Sequence, residues 1–332
     1  MAVSIADIQK LRKMTGAGLA DCKKALTEAD GDLNRAVELV RERGLALAAK
    51  RSDRETSNGC VLVKKGEGFA AMVAIKCETD FVAAGKDFIG LTEEILDAAI
   101  AAKAKSIDEV KALKLANGDD AETAVKHRSG ISGEKMEIDG YNFIEGANVE
   151  VYDHMGKHTL CTMVQLNNNN EEVGHKVAMQ VAAMKPVALD ETCVPQNVKD
   201  EELRVAIEKT KEEQIERQVN VALKKAGINP AHVDSDDHIE SNTAKGWLTP
   251  EQAQQARDIK KTVAEEAAGK LNEQMIQNIA KGRMNKFFKE NCLVDQEFQF
   301  GDGDKASVAQ WMASQDKDLK ITDYKRFSLS AD

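Results

Sequence analysis

Between residues 50 and 105 the apolar positions switch from helical spacing to strand spacing and back, and this limits the fold more than any other feature of the chain. Phe69, Ala71, Val73, Ile75 and Cys77 alternate with Ala70, Met72, Ala74, Lys76 and Glu78, the two-residue repeat of a strand. Val61 to Lys65, with Gly66 and Gly68 in the turn, supplies a hairpin partner. Helical spacing returns from Asp87 to Lys105 through Phe88, Leu91, Ile95 and Ala99, giving a helix able to cover one face of that sheet. A second unit of the same kind follows: strands at Val149 to Asp153 and Thr159 to Leu166, then a helix from Glu171 to Met184 that Pro186 stops. The fold class is α+β, and the two similar units point to an internal duplication.

Ahead of these units lie three short helical patterns: Ile5, Ile8 and Leu11; then Cys22, Ala25 and Leu26; then Leu33, Ala36, Val37 and Val40. Ser4 with Asp7 resembles a capping box, and Thr15-Gly16-Ala17-Gly18 and Asp30-Gly31-Asp32 are turn sequences. Residues 1–50 thus read as a three-helix domain and 51–58 as a charged linker. The first α+β unit is expected over 59–145 and the second over 146–199, completed by 283–332. Between the two parts of the second unit, residues 200–282 are expected to form a charged helical hairpin. One arm carries Ile207, Ile215, Val219 and Ala222 and ends at Gly227 and Pro230; the other begins at Thr249-Pro250-Glu251 and carries Ile259, Val263, Ala267 and Leu271. The acidic stretch Asp234, Asp236, Asp237, His238 reads as a solvated loop between the arms, because Ile239 and Lys245 stand where a calcium loop needs Gly and Glu.

Composition removes several function classes. A net charge of -10 argues against a phosphate backbone as main partner, so no direct nucleic-acid contact is expected. No apolar run reaches the ~18 residues needed to cross a bilayer, and Met1 to Thr15 carries charges where a signal peptide needs a continuous apolar stretch, which predicts a cytoplasmic protein away from membranes. Cys22, Cys60, Cys77, Cys161, Cys193 and Cys292 stand too far apart for a zinc site and read as buried reduced thiols. Gly85-Lys86, Gly156-Lys157 and Gly269-Lys270 all lack a following Ser or Thr, so no phosphate loop is present. His154 and His158 would share a metal only on a helix, whereas the surrounding alternation indicates a strand or turn. No cofactor and no metal are expected.

Thr79-Asp80-Phe81-Val82, directly after the strand that ends at Cys77, can be read locally as a cap followed by one helical turn with Phe81 packed inward. A resemblance gives the segment a second meaning. The run Leu11-Arg12-Lys13-Met14-Thr15-Gly16-Ala17-Gly18-Leu19-Ala20-Asp21-Cys22-Lys23-Lys24-Ala25-Leu26 resembles the opening signature of the bacterial elongation factor Ts family. Cys77-Glu78-Thr79-Asp80-Phe81-Val82-Ala83 is similar to that family's second signature, and the likeness continues through Val177 to Pro186, Gly282 to Phe287 and Arg326-Phe327.

The resemblance implies an opening domain like ubiquitin-associated domains, a core of two α+β subdomains and a helical hairpin inserted in the second. It implies a guanine nucleotide exchange factor for elongation factor Tu, in its GDP-bound and nucleotide-free forms, with no catalytic chemistry of its own. Thr79, Asp80, Phe81 and Val82 match the segment that dislodges magnesium in the partner. Arg12, Thr15, Gly16, Ala17 and Gly18 match partner-contacting positions, although the same residues serve equally as a helix-joining turn, and His154 falls near a histidine that touches the partner's third domain. The insert between Pro186 and Gly282 is longer than is typical of the family and is open to a role as homodimer contact, partner contact or spacer. A short GTPase-binding module found after the position of Arg326-Phe327 in some members is expected to be missing. Two other readings stand beside this one: a non-catalytic adaptor using the three-helix domain, and an enzyme with Cys77 as nucleophile, which lacks an identifiable base.

Overall fold

A computed structural model describes residues 3–301, 303 and 305–330. The chain divides into two compact units, Met1–Leu189 with Gln296–Asp332, and Asp190–Asp295.

The first unit opens with three helices, α1 (Ile5–Thr15), α2 (Leu19–Glu28) and α3 (Leu33–Ala49). Ser4 caps α1 by accepting from the Asp7 N–H at 3.1 Å, and Asp32 caps α3 by accepting from the Asn34 and Arg35 N–H groups. Leu11, Cys22, Ala25, Leu26, Ala36, Leu39 and Val40 close a small core. Ile5, expected on the inner face with Ile8 and Leu11, is 74% exposed instead. Ile8 and Val3 fill its place against that core, since the 3.6-residue period lets only part of so short a helix face inward.

Two antiparallel sheets follow. The first, in order β1-β2-β3, comprises β1 (Asn58–Gly66), β2 (Phe69–Cys77) and β3 (Met136–Glu145). Between β2 and β3 run α4 (Asp80–Ala83), α5 (Lys86–Ala102), α6 (Ile107–Ala112) and α7 (Ala121–Ser132). The second, in order β4-β5-β6, comprises β4 (Val149–Asp153), β5 (Leu160–Leu166) and β6 (Ile321–Ser328), with α8 (Glu171–Met184) following β5. The strand β3 and the helices α6 and α7 carry no strong periodic signal, which is why the sequence pattern alone did not define them.

The central strand β2 is buried on both faces. Phe69, Ala71, Val73, Ile75 and Cys77 pack with Phe88, Ile95, Leu96 and Ala99 of α5, while Ala70 and Met72 pack with Val149 and Met163 of the second sheet. Each large side chain buried here contributes about 1.5–3 kcal/mol relative to exposure. Close approach of the sheets depends on Gly140: a Cβ there would overlap the Phe327 ring of β6, and the register of β2 against β3 shifts beside it, between Ala74 and Ile75.

The opening domain rests on α7 through a glycine pair. A Cβ on Gly130 of α7 would overlap the Gly44 Cα of α3, so the two helices touch backbone to backbone. Arg51, just after α3, donates from Nη1 to the Ser129 carbonyl at 3.0 Å.

In the second unit, α9 (Gln196–Lys225), α10 (Asp236–Ala244), α11 (Pro250–Gly269) and α12 (Glu273–Asn291) replace the simple two-armed hairpin. At 1.5 Å per residue the 30-residue α9 is about 45 Å long. The second arm breaks after Gly269, and Asn272 caps a fresh start by accepting from the Met275 N–H at 3.0 Å. From Asp236 on, the acidic stretch is a helix rather than a loop: Ser235 accepts from the His238 N–H, and Asp236 and Asp237 occupy the first turn, where the helix dipole favours carboxylates, while Asp234 stays ahead of it. Ile239 and Val233 join Val219, Leu223, Ile228, Leu248, Ala253 and Ala256 in a local core. Back in the first unit, α13 (Val308–Gln315) precedes β6.

Gly130→Ala should destabilise the protein by about 1–3 kcal/mol, because overpacking at a helix crossing forces the backbones apart. Gly282→Ala, in mid-α12 with nothing within 4 Å of an added Cβ, should stabilise by about 0.5–1 kcal/mol. Denaturant unfolding of both variants checks the contrast; a Gly130→Ala protein as stable as the parent would refute the close-contact account.

Candidate functional site

The segment after β2 is a one-turn helix packed on the end of the first sheet, with Phe81 turned outward. The strand ladder ends at the pair Cys77 and Met136, and beyond it two side chains continue the pairing that backbone no longer provides. The Lys135 N–H donates to Glu78 Oε1 at 2.6 Å. On the other side, the Thr79 N–H donates to Glu134 Oε2 at 3.0 Å and the Thr79 hydroxyl to Glu134 Oε1 at 2.6 Å. Glu78 also accepts from Arg54 Nη1 at 3.1 and 3.3 Å, while Asn58 Nδ2 donates to its carbonyl at 2.9 Å. The Lys135 N–H first, then Arg54, hold the Glu78 carboxyl below its usual range.

Thr79 is at the same time the N-cap of α4, its hydroxyl oxygen accepting from the Val82 N–H at 3.4 Å. With the turn fixed this way, Val82 packs against the core under the first sheet and Asp80 faces solvent. Phe81 is 87% exposed, an unusual placement for a phenyl ring. The local reading of a capped turn therefore holds for Thr79 and fails for Phe81, which points outward. Cys77 is fully buried, its thiol donating to the Thr79 carbonyl at 3.2 Å. Burial, with the charge of Glu134 beside it, pushes that thiol up to about 12, far from a nucleophile's range.

The opening signature forms the α1–α2 joint. Gly16 takes φ 71° and donates its N–H to the Arg12 carbonyl at 2.7 Å, which ends α1. Thr15 is half-buried, its hydroxyl donating to the Leu11 carbonyl and accepting from the Ala17 N–H. Ala17 is buried and Gly18 is the N-cap of α2. Arg12 is exposed. Two apolar side chains not singled out from the sequence, Met14 and Leu19, are also exposed on either side of this turn. Helix α7 links the two regions: Arg128 lies next to Gly16 and donates to Asp87, in the first turn of α5, at 3.0 Å. His154 sits apart, after β4, with Nδ1 3.1 Å from the Tyr152 hydroxyl and the exposed Met155 next to it at φ 56°. His158 Nδ1 lies 2.5 Å from Asp153 Oδ2, and no group of three or more metal-ligating side chains exists among the described residues.

The family model described as Elongation factor TS matches residues 78–220 and 205–331. The chain belongs to the elongation factor Ts family. It is 57% identical over 332 residues to Elongation factor Ts of Parabacteroides distasonis and 56% identical over 332 residues to that of Phocaeicola vulgatus, in each case covering 100% of both chains. To Elongation factor Ts of Azobacteroides pseudotrichonymphae it is 33% identical over 332 residues, 99% of each chain. These elongation factor Ts relatives align across the whole insert. Membership places the chain in protein biosynthesis, among the nucleotide exchange factors of translation. Among the described residues no helix is long and apolar enough to cross a membrane.

Of the six cysteines only Cys193 is exposed, which departs from the expectation that all are buried. A thiol reagent at pH 8 should therefore label about one thiol rapidly in the native protein and all of them after denaturation. Fast native labelling of Cys77, read by peptide mass, would contradict its burial.

Proposed function

We propose that the chain binds elongation factor Tu in its GDP-bound form, promotes GDP release by disturbing the magnesium and phosphate site, and leaves the nucleotide-free GTPase ready to take up GTP. The observation that carries this reading is Phe81, a bare phenyl ring beside the Asp80 carboxylate on a turn braced from behind by Glu134. Solvent exposure of such a ring costs free energy in the isolated protein and is recovered when a partner covers it. Phosphate contacts and Mg²⁺ hold GDP in such a GTPase, so release is slow until those contacts loosen.

In this reading Phe81 enters between helices of the GTPase as an apolar wedge. Asp80 brings a negative charge toward the groups that order the metal's water shell. Val82 and Thr79 keep the turn in place. Exchange factor and nucleotide oppose each other through reciprocal coupling, each lowering the other's affinity for the GTPase. Arg12, Gly16 and Gly18, together with the exposed Met14 and Leu19, form a second contact, and His154 a third. The chain works in the cytosol without a cofactor and makes no covalent bond to substrate, and the buried, high-pKa Cys77 supports that view over an enzyme.

The test is release of a fluorescent GDP from purified elongation factor Tu across magnesium concentrations. The parent chain should accelerate release strongly. Asp80→Ala and Phe81→Ala should each cut the acceleration by on the order of tenfold or more, with the Asp80→Ala loss shrinking as magnesium is withdrawn. A folded parent chain that leaves the release rate unchanged sinks this reading in favour of a non-catalytic adaptor.

A further inference from the structure

Resting on the exchange-factor reading, we propose that Glu134 is a positioning residue for exchange: its carboxylate, bound at both oxygens by Thr79, sets the direction in which α4 presents Asp80 and Phe81. The geometry points to this role in three ways. Both Glu134 oxygens are committed to a single residue, the N–H at 3.0 Å and the hydroxyl at 2.6 Å, so translation and rotation of the cap are restrained together. The residue so held is the cap itself, whose hydroxyl oxygen also accepts from the Val82 N–H, so any shift of Thr79 is passed to the turn that carries Phe81. A helix of four residues, closed by little more than the Ala83 N–H to Thr79 carbonyl and Ala84 N–H to Asp80 carbonyl bonds, holds its shape but has too few bonds of its own to set its direction on the body.

Glu134 is fixed in turn from the other side. Gly133 ends α7 in the left-handed conformation at φ 86° and delivers Glu134 to the end of β2. The Glu134 N–H donates to the Ser132 hydroxyl at 3.2 Å, and its carbonyl accepts from the Ser129 hydroxyl at 2.5 Å. The Ser129 carbonyl receives Arg51 Nη1 at 3.0 Å. A continuous set of hydrogen bonds thus runs from the end of the opening domain, through Arg51, Ser129, Glu134 and Thr79, to the Val82 N–H in the turn that carries the exposed ring. Docking of the opening domain on α7 and presentation of the wedge share one support.

The experiment uses the full chain with elongation factor Tu and fluorescent GDP, measuring the exchange rate at saturating exchange factor, the concentration giving half that rate, and the melting temperature. Glu134→Ala should lower the saturating rate by on the order of tenfold, leave the half-saturating concentration within about threefold, and remain folded. Glu134→Gln, whose amide can still meet both Thr79 groups, should recover most of the rate. Combining Glu134→Ala with Phe81→Ala should cost clearly less than the two separate losses together, because an unplaced wedge and an absent wedge fail at the same step and only the Asp80 contribution is left to lose. A merely structural role would instead lower the melting temperature and add in full to Phe81→Ala. An unchanged saturating rate in folded Glu134→Ala, a loss confined to the half-saturating concentration, or full additivity overturns the proposal while leaving the exchange reading intact. No acceleration by the parent chain overturns the exchange reading and the positioning role with it.

Discussion

Two-sided burial of β2 is the constraint on which the rest of the first unit depends. Its odd-numbered side chains from Phe69 to Cys77 meet α5 and the helices beside it, and Ala70, Met72 and Ala74 on the other face meet the second sheet. A strand in this position cannot slip by one residue without exchanging its two packing surfaces, so register is fixed strongly. The point where β2 ends is therefore fixed as well, and Thr79 to Val82 leave the sheet from a defined place. The exposed turn inherits its position from a strand that has no freedom to move.

Glycines decide how the surrounding layers approach. At Gly140 the missing side chain admits the Phe327 ring, and at Gly130 it admits the Gly44 backbone. Neither position has positive φ, so conformational freedom is not the reason for glycine there; space is. The two contacts join elements far apart in the chain, the last strand to the first sheet and the opening domain to α7. Helix α7 consequently has two tasks, carrying the opening domain on one side and delivering Glu134 to Thr79 at its end.

The second unit shows how a polar sequence can hide a local core. Val219, Leu223, Ile228, Val233, Ile239 and Leu248 are spread over thirty residues among many charges, and no single helix carries enough of them to mark a buried face. Closing them into one cluster requires the turns around Gly227 and Gly246, both at positive φ. A period-based reading sees the long arms on either side and treats the tip as solvent. The same limit explains the break in the second arm: Gly269 lowers helix propensity only modestly, and it is the competing cap at Asn272 that makes the interruption stable.

By itself the sequence determined what depends on neighbours within a few residues: the alternation of β2, the helical spacing of α5 and α8, the caps at Ser4 and Thr249, the α+β class, and the two signatures that carry the family likeness. Only the tertiary structure decided matters that join distant segments or choose between two allowed faces. Phe81 outward, Ile5 outward and Val82 inward are choices made by the surface that each helix meets, not by its own period. Glu134 lies fifty-five positions from Thr79, in a stretch with no motif, and its carboxylate reaches Thr79 only because β3 pairs with β2 and begins beside the point where β2 ends. Local propensity specifies elements; long-range backbone approach, set by sheet register and by glycines at crossings, specifies which side chains meet.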